Sequence, residues 1–115
     1  MVARVARFEG VDAEEAQRTM AEAEAVIRPL VEGLPGYRGQ LQLLAADGDF
    51  LSIALFDSDE HAAAAEPTFD EEMPRRLGDL FRGWRGSRVS VGRYAVVMDD
   101  LARGGGFAAV PGEEA

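Results

Sequence analysis

Several residue types that carry common protein chemistry are missing from this sequence of 115 residues. There is no cysteine, which excludes disulfide frameworks, thiolate nucleophiles and cysteine metal sites. There is no lysine, which excludes a Schiff-base enzyme and a P-loop lysine, and all twelve basic residues are arginine. Asparagine is also absent, and His61 is the one histidine. A lone histidine without cysteine partners makes a metal site improbable, and we expect no cofactor.

Long apolar runs and an excess of positive charge are missing too. No apolar run approaches the length of a membrane span, and the first ten residues, MVARVARFEG, alternate instead of forming the apolar core of a signal peptide. The net charge is −9, from 21 acidic and 12 basic residues, which is the wrong sign for binding a phosphate backbone. We therefore expect a cytoplasmic protein that binds neither nucleic acid nor membranes.

The first third of the chain predicts a strand followed by a helix. Residues 2–8, VARVARF, alternate with a period of two, as in a half-buried strand. Asp12 precedes Glu15 by three residues, which is the spacing of a capping box at a helix start. Pro29 is expected to loosen the last turn of this helix, and Gly33 to end it.

A β-hairpin is predicted next. Residues 38–46 and 49–57 flank Asp47-Gly48, a strong signal for a two-residue turn. With that turn, Leu44 faces Leu51 across the hairpin. Both faces of the hairpin are then largely apolar, which is unusual for an antiparallel pair with one solvated side.

A second helical region and a last strand follow. Asp57 or Ser58 can cap the helix, Pro67 interrupts it, and Gly83 and Gly86 are expected to end it. Residues 87–98 then read as a strand.

The order strand, helix, strand, strand, helix, strand predicts an α+β ferredoxin-like fold, βαββαβ, with a four-stranded antiparallel sheet. Residues 1–98 form this domain, and residues 99–115, rich in glycine, read as a flexible C-terminal tail that could dock through Leu101 or Phe107. Both helices lie on one face of the sheet, so the other face is bare and apolar. Because an exposed apolar face is costly, we predict a homodimer that packs two sheets together as an α/β barrel.

Two segments of the chain resemble a known family. LPGYRG before the hairpin, and FDSDEHAAAAEPTF after it, resemble the dimeric α/β-barrel superfamily, in particular its antibiotic-biosynthesis-monooxygenase-like branch. The resemblance spans residues 2–98. It implies a pocket between sheet and helices in each half of the dimer. Members include cofactor-independent oxygenases of polycyclic phenols, quinol oxygenases, haem-degrading enzymes, lactone isomerases and proteins without a known reaction.

The sequence departs from this family at its usual active residues. Members often have tryptophan at the end of the third strand, where this chain has Phe56. Members carry histidines along the second helix, where this chain has alanines 63–65 and Thr68. They also use an asparagine on the first strand, and this chain has none. The absent Asn-Trp-His set argues against the best-known activities.

The candidate site residues each have a second interpretation. His61 is the one side chain that titrates near neutrality without perturbation, so it is the candidate general acid or base; the alternative is a surface histidine beside an acidic cap. Tyr37, Arg38, Trp84 and Tyr94, with Phe56, are the candidate ligand-binding residues. Trp84 can instead belong to the core, and Tyr94 can face the barrel interior or solvent.

Charge is divided between two segments. Residues 57–72 contain seven acids and no arginine, whereas residues 75–93 contain six arginines and only Asp79 as an acid. The arginines can bind a carboxylate or phosphate ligand, form solvated faces, or pair with the acids across a dimer.

Together the patterns predict a homodimer that binds a small apolar or aromatic molecule. As an enzyme it would be a cofactor-independent monooxygenase or isomerase. The alternative is a non-catalytic ligand-binding or structural dimer, and a third interpretation is a regulatory amino-acid-binding module.

Overall fold

The fold is taken from a computed structural model, which describes residues 1–101. These residues form four strands, β1 (Val2–Glu9), β2 (Tyr37–Leu44), β3 (Phe50–Phe56) and β4 (Ser87–Ala95), and three α-helices, α1 (Ala13–Glu32), α2 (Asp59–Ala64) and α3 (Met73–Trp84). A π-helical turn, Thr68–Glu72, connects α2 to α3. The strands form one antiparallel sheet in the order β2-β3-β1-β4. The predicted ferredoxin-like fold is confirmed.

Helix α1 begins and ends at the predicted residues. The Asp12 carboxylate accepts a hydrogen bond from the backbone N–H of Glu15 at 3.0 Å, and Gly33 is the C-cap. The helix continues through Pro29 to Glu32. Its buried side includes Ala16, Ala23 and Ile27, as the helical spacing predicts, and it packs onto the sheet. Among residues 1–101, no helix combines the length and apolar character needed to cross a bilayer.

The hairpin loop is one residue longer than the predicted two-residue turn, so that prediction is wrong. The backbone N–H of Ala45 donates to the carbonyl of Asp49 at 2.8 Å, so the loop contains residues 46–48. Leu44 therefore pairs with Phe50, and Leu43 pairs with Leu51. Because neighbouring strand residues point to opposite faces, this shift turns all of β2 over relative to the predicted register.

The second helical region is divided as Pro67 predicts, but its end differs. The Ser58 hydroxyl accepts a hydrogen bond from the backbone N–H of His61 at 3.2 Å and starts α2. Gly83 lies inside α3, and the helix ends instead at Arg85, which adopts a left-handed conformation with φ 67°.

Strand β4 is shorter than predicted, ending at Ala95, and the backbone N–H of Val96 donates to the carbonyl of Met1 at 2.9 Å. Val97, Met98 and Leu101 are exposed. The predicted tail begins at residue 99, and residues 102–115, including Phe107, lie outside the described part of the chain.

The two faces of the sheet differ in their surroundings. The face that we call the covered face packs against the helices, and Phe50, Ala54 and Phe56 are buried there. The opposite face, which we call the bare face, has no helix on it among the described residues. By register and alternation its apolar members are Ala3, Val5, Leu41, Leu43, Leu51, Ile53, Leu55 and Tyr94. The bare face is therefore mainly aliphatic, as predicted.

Candidate functional site

A cavity of about 200 Å³ lies between the covered face of the sheet and the helices. Its apolar lining consists of Ala6, Phe8, Val11, Met20, Ile27, Phe50, Phe69, Met73, Phe81 and Trp84. Its polar lining consists of Arg4, Gln40, Gln42, Ser52 and Arg88, with Gly86 beside them. The cavity therefore has an apolar, largely aromatic wall and a small number of polar groups, which is typical of a ligand site.

The polar groups come mainly from neighbouring strands of the sheet. Gln42 pairs with Ser52 across the hairpin, and Gln40, two residues earlier on β2, pairs with Ala54. The Gln42 Nε2 donates to the Gln40 Oε1 at 2.7 Å. The sequence did not point to these residues, because the predicted register placed both glutamines on the opposite face from Phe50.

Arg4 is the most unusual residue of the cavity wall. It is only 3% exposed, although it carries a positive charge. Its Nε donates to Glu66 Oε1 at 2.5 Å and its Nη2 to Asp70 Oδ1 at 3.3 Å. Its guanidinium carbon lies 4.3 Å from the centroid of the Phe69 ring. Pairing, hydrogen bonding and a cation–π contact together offset the cost of removing this charge from water.

The carboxylates around Arg4 are shared with arginines of the edge strand β4. Asp70 accepts a hydrogen bond from Arg88 Nη1 at 2.8 Å, and Glu66 lies 3.8 Å from Arg93 Nη1. Three arginines thus connect the sheet to the acidic segment 57–72. The acidic and basic segments thus pair within a single chain, whereas the sequence interpretation placed such pairing across the dimer.

Trp84 lines the cavity and is also a core residue. It is 6% exposed, and its ring packs at 6.0 Å from Phe50 and 5.4 Å from Phe81, measured between ring centroids. Its Nε1 donates to the Thr19 hydroxyl at 2.7 Å, and that hydroxyl donates to the backbone carbonyl of Glu15 at 2.8 Å. The indole therefore presents its ring, and not its polar atom, to the cavity.

Phe56 and Tyr37 pack together but do not line this cavity. Phe56 is fully buried, and its ring meets the Tyr37 ring edge-on with 5.9 Å between centroids. Tyr37 lines a second, open groove of about 440 Å³ between α1 and β2. Burial raises the pKa of the Tyr37 phenol, while the Gln40 side chain and the charge of Arg28 act in the opposite direction.

His61 lies outside both cavities, at the start of α2. Its Nδ1 is 2.9 Å from the Ser58 hydroxyl, and its ring packs so closely on Gly36 that a Cβ there would overlap it. The single histidine thus helps to join the loop before β2 to the N-terminus of α2. Its predicted catalytic role stays a prediction.

Arg38 and Tyr94 lie apart from the cavity. Arg38 occupies a bulge in β2, is exposed, and binds Asp57 at 2.9 Å. Tyr94 lies on the bare face and is 60% exposed in the single chain. The structure therefore brings only Trp84, of the six residues predicted from the sequence, to the cavity. Within residues 1–101, no group of histidine, aspartate and glutamate side chains is arranged to hold a metal ion.

Comparison with known proteins identifies the fold. No family model matches the sequence, and no curated protein is significantly similar to it. Among solved structures, SnoaB, a cofactor-independent oxygenase from Streptomyces nogalater, is 15% identical with a TM-score of 0.57, over 88% of this chain and 97% of that one. The ActVA-Orf6 monooxygenase of Streptomyces coelicolor, solved with nanaomycin D, is 15% identical with a TM-score of 0.63, over 88% and 91%.

A third similar structure is a dimeric ferredoxin-like protein from an uncultured marine organism. It is 13% identical with a TM-score of 0.63, over 89% of this chain and 100% of that one. At these identities the similarity establishes the fold. The chain shares this fold with these two oxygenases and with the dimeric ferredoxin-like protein, as the sequence resemblance predicted.

Proposed function

We propose that this protein is a homodimer that binds a small apolar or aromatic molecule between the sheet and the helices. The observation that carries the proposal is the cavity itself, which combines an aromatic wall with a few hydrogen-bonding groups. The pocket is open to solvent on one side, so its apolar wall is in contact with water, which is unfavourable. A bound molecule that fills the space would remove that contact with water.

Binding is better supported than catalysis by the residues in the cavity wall. In the described part of the chain, that wall contains no histidine, aspartate, glutamate or tyrosine. A cofactor-independent oxygenation needs a group that accepts a proton from the substrate. The residue predicted for that task, His61, would have to act from outside the cavity.

The homodimer is supported by the bare face of the sheet. Leu43 and Tyr94 are 47% and 60% exposed there, and Leu51, Ile53 and Leu55 remain partly exposed beside them. Monomeric proteins rarely expose a large contiguous apolar patch, and protein–protein interfaces are one use of such patches. A second copy offers an identical aliphatic surface, which is what a twofold interface requires.

Fluorescence of the single tryptophan tests the binding proposal. Trp84 lies in the cavity wall, so an aromatic probe such as naphthalene should change its emission when it binds. Ala6 is 1% exposed on the cavity floor, and Ala6→Leu would occupy part of the space. We expect this variant to bind at least about tenfold more weakly.

The matched control for this test is Ala25→Leu, which adds the same atoms at an exposed position of α1. Its affinity should equal that of the natural chain. Equal binding by Ala6→Leu and Ala25→Leu would show that the probe binds elsewhere and would contradict the proposal.

A cofactor-independent monooxygenase is the second candidate, favoured by the activities named for SnoaB and the ActVA-Orf6 protein. Oxygen uptake with hydroquinones tests it directly. Uptake that is lost in His61→Ala would assign the acid–base role to His61. Equal rates in both proteins would remove His61 from catalysis, and no uptake with any hydroquinone would leave binding as the function.

A further inference from the structure

We propose that the molecule bound in this cavity is a small aromatic carboxylate, and that its carboxylate oxygens bind Arg4 and Arg88. This inference rests on the proposed function and specifies the ligand class. Arg88 belongs to the arginine-rich segment 75–93, for which a carboxylate or phosphate ligand was one sequence interpretation, whereas Arg4 was not among the candidate site residues.

The first argument is the direction in which charge is arranged. Arg4 and Arg88 both line the cavity, whereas their carboxylate partners Glu66 and Asp70 do not. The cavity lining therefore contains the positive partner of each of these ion pairs and not the negative partner. A cationic ligand would meet two guanidinium groups there, and an anionic one would be attracted.

The second argument is an unused donor on a buried charge. The Nε and Nη2 atoms of Arg4 are hydrogen-bonded, but no side chain or carbonyl among residues 1–101 accepts a bond from Nη1. Arg4 is 3% exposed, so little bulk water is available to it. Nη1 is nevertheless not among the fully buried polar atoms, so it keeps access to the cavity, and a ligand oxygen there can accept a hydrogen bond from it.

The third argument is the spacing of the two arginines. Arg4 Nη2 and Arg88 Nη1 both donate to the same atom, Asp70 Oδ1, at 3.3 and 2.8 Å. One oxygen atom therefore holds the two guanidinium groups side by side. The donors of these two guanidinium groups that Asp70 does not occupy can then bind the two oxygens of a ligand carboxylate, which accepts such bonds strongly.

The fourth argument is size. The cavity measures about 200 Å³. Sites for drug-sized ligands usually measure roughly 300–1,000 Å³. The space therefore suits a molecule of one or two rings, with Phe69, Phe81 and Trp84 against the ring and the carboxylate at the arginines.

Three probes of similar shape and different charge test the inference on the full chain. These are 1-naphthoate, 1-naphthamide and 1-naphthylmethylammonium, each titrated against Trp84 emission. We expect 1-naphthoate to bind at least about tenfold more tightly than the amide, because hydrogen bonds to charged groups exceed neutral ones by about that factor. The ammonium probe should bind most weakly.

Two variants test whether Arg4 and Arg88 cause the preference for 1-naphthoate over 1-naphthamide. Arg88→Gln should reduce it, and Arg4→Gln combined with Glu66→Gln should abolish it while leaving no unpaired buried charge at Glu66. Arg18→Gln, an exposed arginine that pairs with Glu15 on α1, is the control and should keep the full preference. If the double variant does not fold, the three probes on the natural chain still test the preference for a carboxylate. Arg88→Gln still tests whether an arginine of the cavity lining causes it.

The outcomes distinguish this inference from the proposal on which it rests. Equal binding of naphthoate and naphthamide, sensitive to Ala6→Leu, would overturn the carboxylate assignment and keep the proposed cavity function. A carboxylate preference unchanged in both arginine variants would overturn the assignment to Arg4 and Arg88. No binding of any probe would overturn both.

Discussion

The two faces of the sheet are built by the same strands but carry different chemistry. On the covered face, aromatic rings alternate with Arg4, Gln40, Gln42 and Ser52, and the helices leave a cavity above them. On the bare face, aliphatic side chains predominate, and the charge of Arg7 is balanced by Glu9 and Asp49 at 2.7 and 3.2 Å. One face suits a small molecule with polar groups, and the other suits a second protein surface.

This difference implies that ligand binding and dimerisation are separable. The cavity and the bare face lie on opposite sides of one layer, and the residues of β3 alternate between them. Substituting neighbouring residues of β3 should therefore affect one property without the other.

The largest effect is expected from Phe56→Ala on the covered face. Phe56 is fully buried and contacts Tyr37 and Phe69 edge-on, with ring centroids at 5.9 and 6.3 Å. Removing a buried phenylalanine lowers the free energy of unfolding by about 3–5 kcal/mol. Urea unfolding measures it, and a loss below about 1 kcal/mol would contradict the assignment of Phe56 to the core.

A smaller effect, on assembly, is expected from Ile53→Asp on the bare face. Placing a charge in the centre of the proposed interface should raise the dimer dissociation constant at least about thirtyfold, the size of effect seen when a hot-spot residue is lost. Sedimentation velocity measures the change, and naphthalene binding should remain.

Ala21→Asp introduces the same charge on the exposed side of α1 and is the control for Ile53→Asp. It should leave the dimer intact. If the natural chain sediments as a stable monomer at micromolar concentration, the proposed homodimer is wrong. The proposal that the bare face is the dimer interface would then be wrong as well.

The smallest effect is expected from Tyr37→Phe, and it depends on pH. Burial raises the pKa of Tyr37 in the folded chain, so the folded state keeps this proton longer than the unfolded state, whose phenol has a pKa of about 10. The resulting stability is present below that pH and is lost as the pH rises through the folded pKa. The urea midpoint of unfolding should therefore fall less from pH 7 to pH 11 in Tyr37→Phe than in the natural chain. An equal fall in both proteins would contradict the raised pKa of Tyr37.

The order of the elements was predictable because its signals are local. Asp12 caps α1 through Glu15, three residues away, and Ser58 caps α2 through His61, again three residues away. Such contacts depend on a few neighbouring residues and not on the rest of the fold. The alternation of β1 likewise identified the strand and its two sides.

The hairpin register was not predictable from the Asp47-Gly48 pair alone. The Asp47 carboxylate accepts a hydrogen bond from the backbone N–H of Asp49, and Gly48 has φ 93°, which completes a three-residue loop. The same pair also occurs in two-residue turns. The difference of one residue decided that Leu41 and Leu43 join the bare face and that the glutamines face the cavity.

The cavity residues were harder still to predict, because their contacts are distant in sequence. Arg4 lies 62 residues from Glu66 and 66 residues from Asp70. An arginine that alternates with apolar residues on a strand looks the same whether its tip reaches water or a buried carboxylate. Only the packing of the π-helical turn against β1 distinguishes the two cases.

The hydrogen bond from Trp84 to Thr19 has a consequence for how a guest molecule would be oriented. The indole has one N–H, and Thr19 already occupies it, so the indole offers a guest no polar partner. The charged groups of the cavity lining are the guanidinium groups of Arg4 and Arg88. A molecule with one acidic terminus would therefore bind with that terminus at the two arginines. In the reverse orientation its negative charge would lie against the indole ring, where the N–H is already hydrogen-bonded.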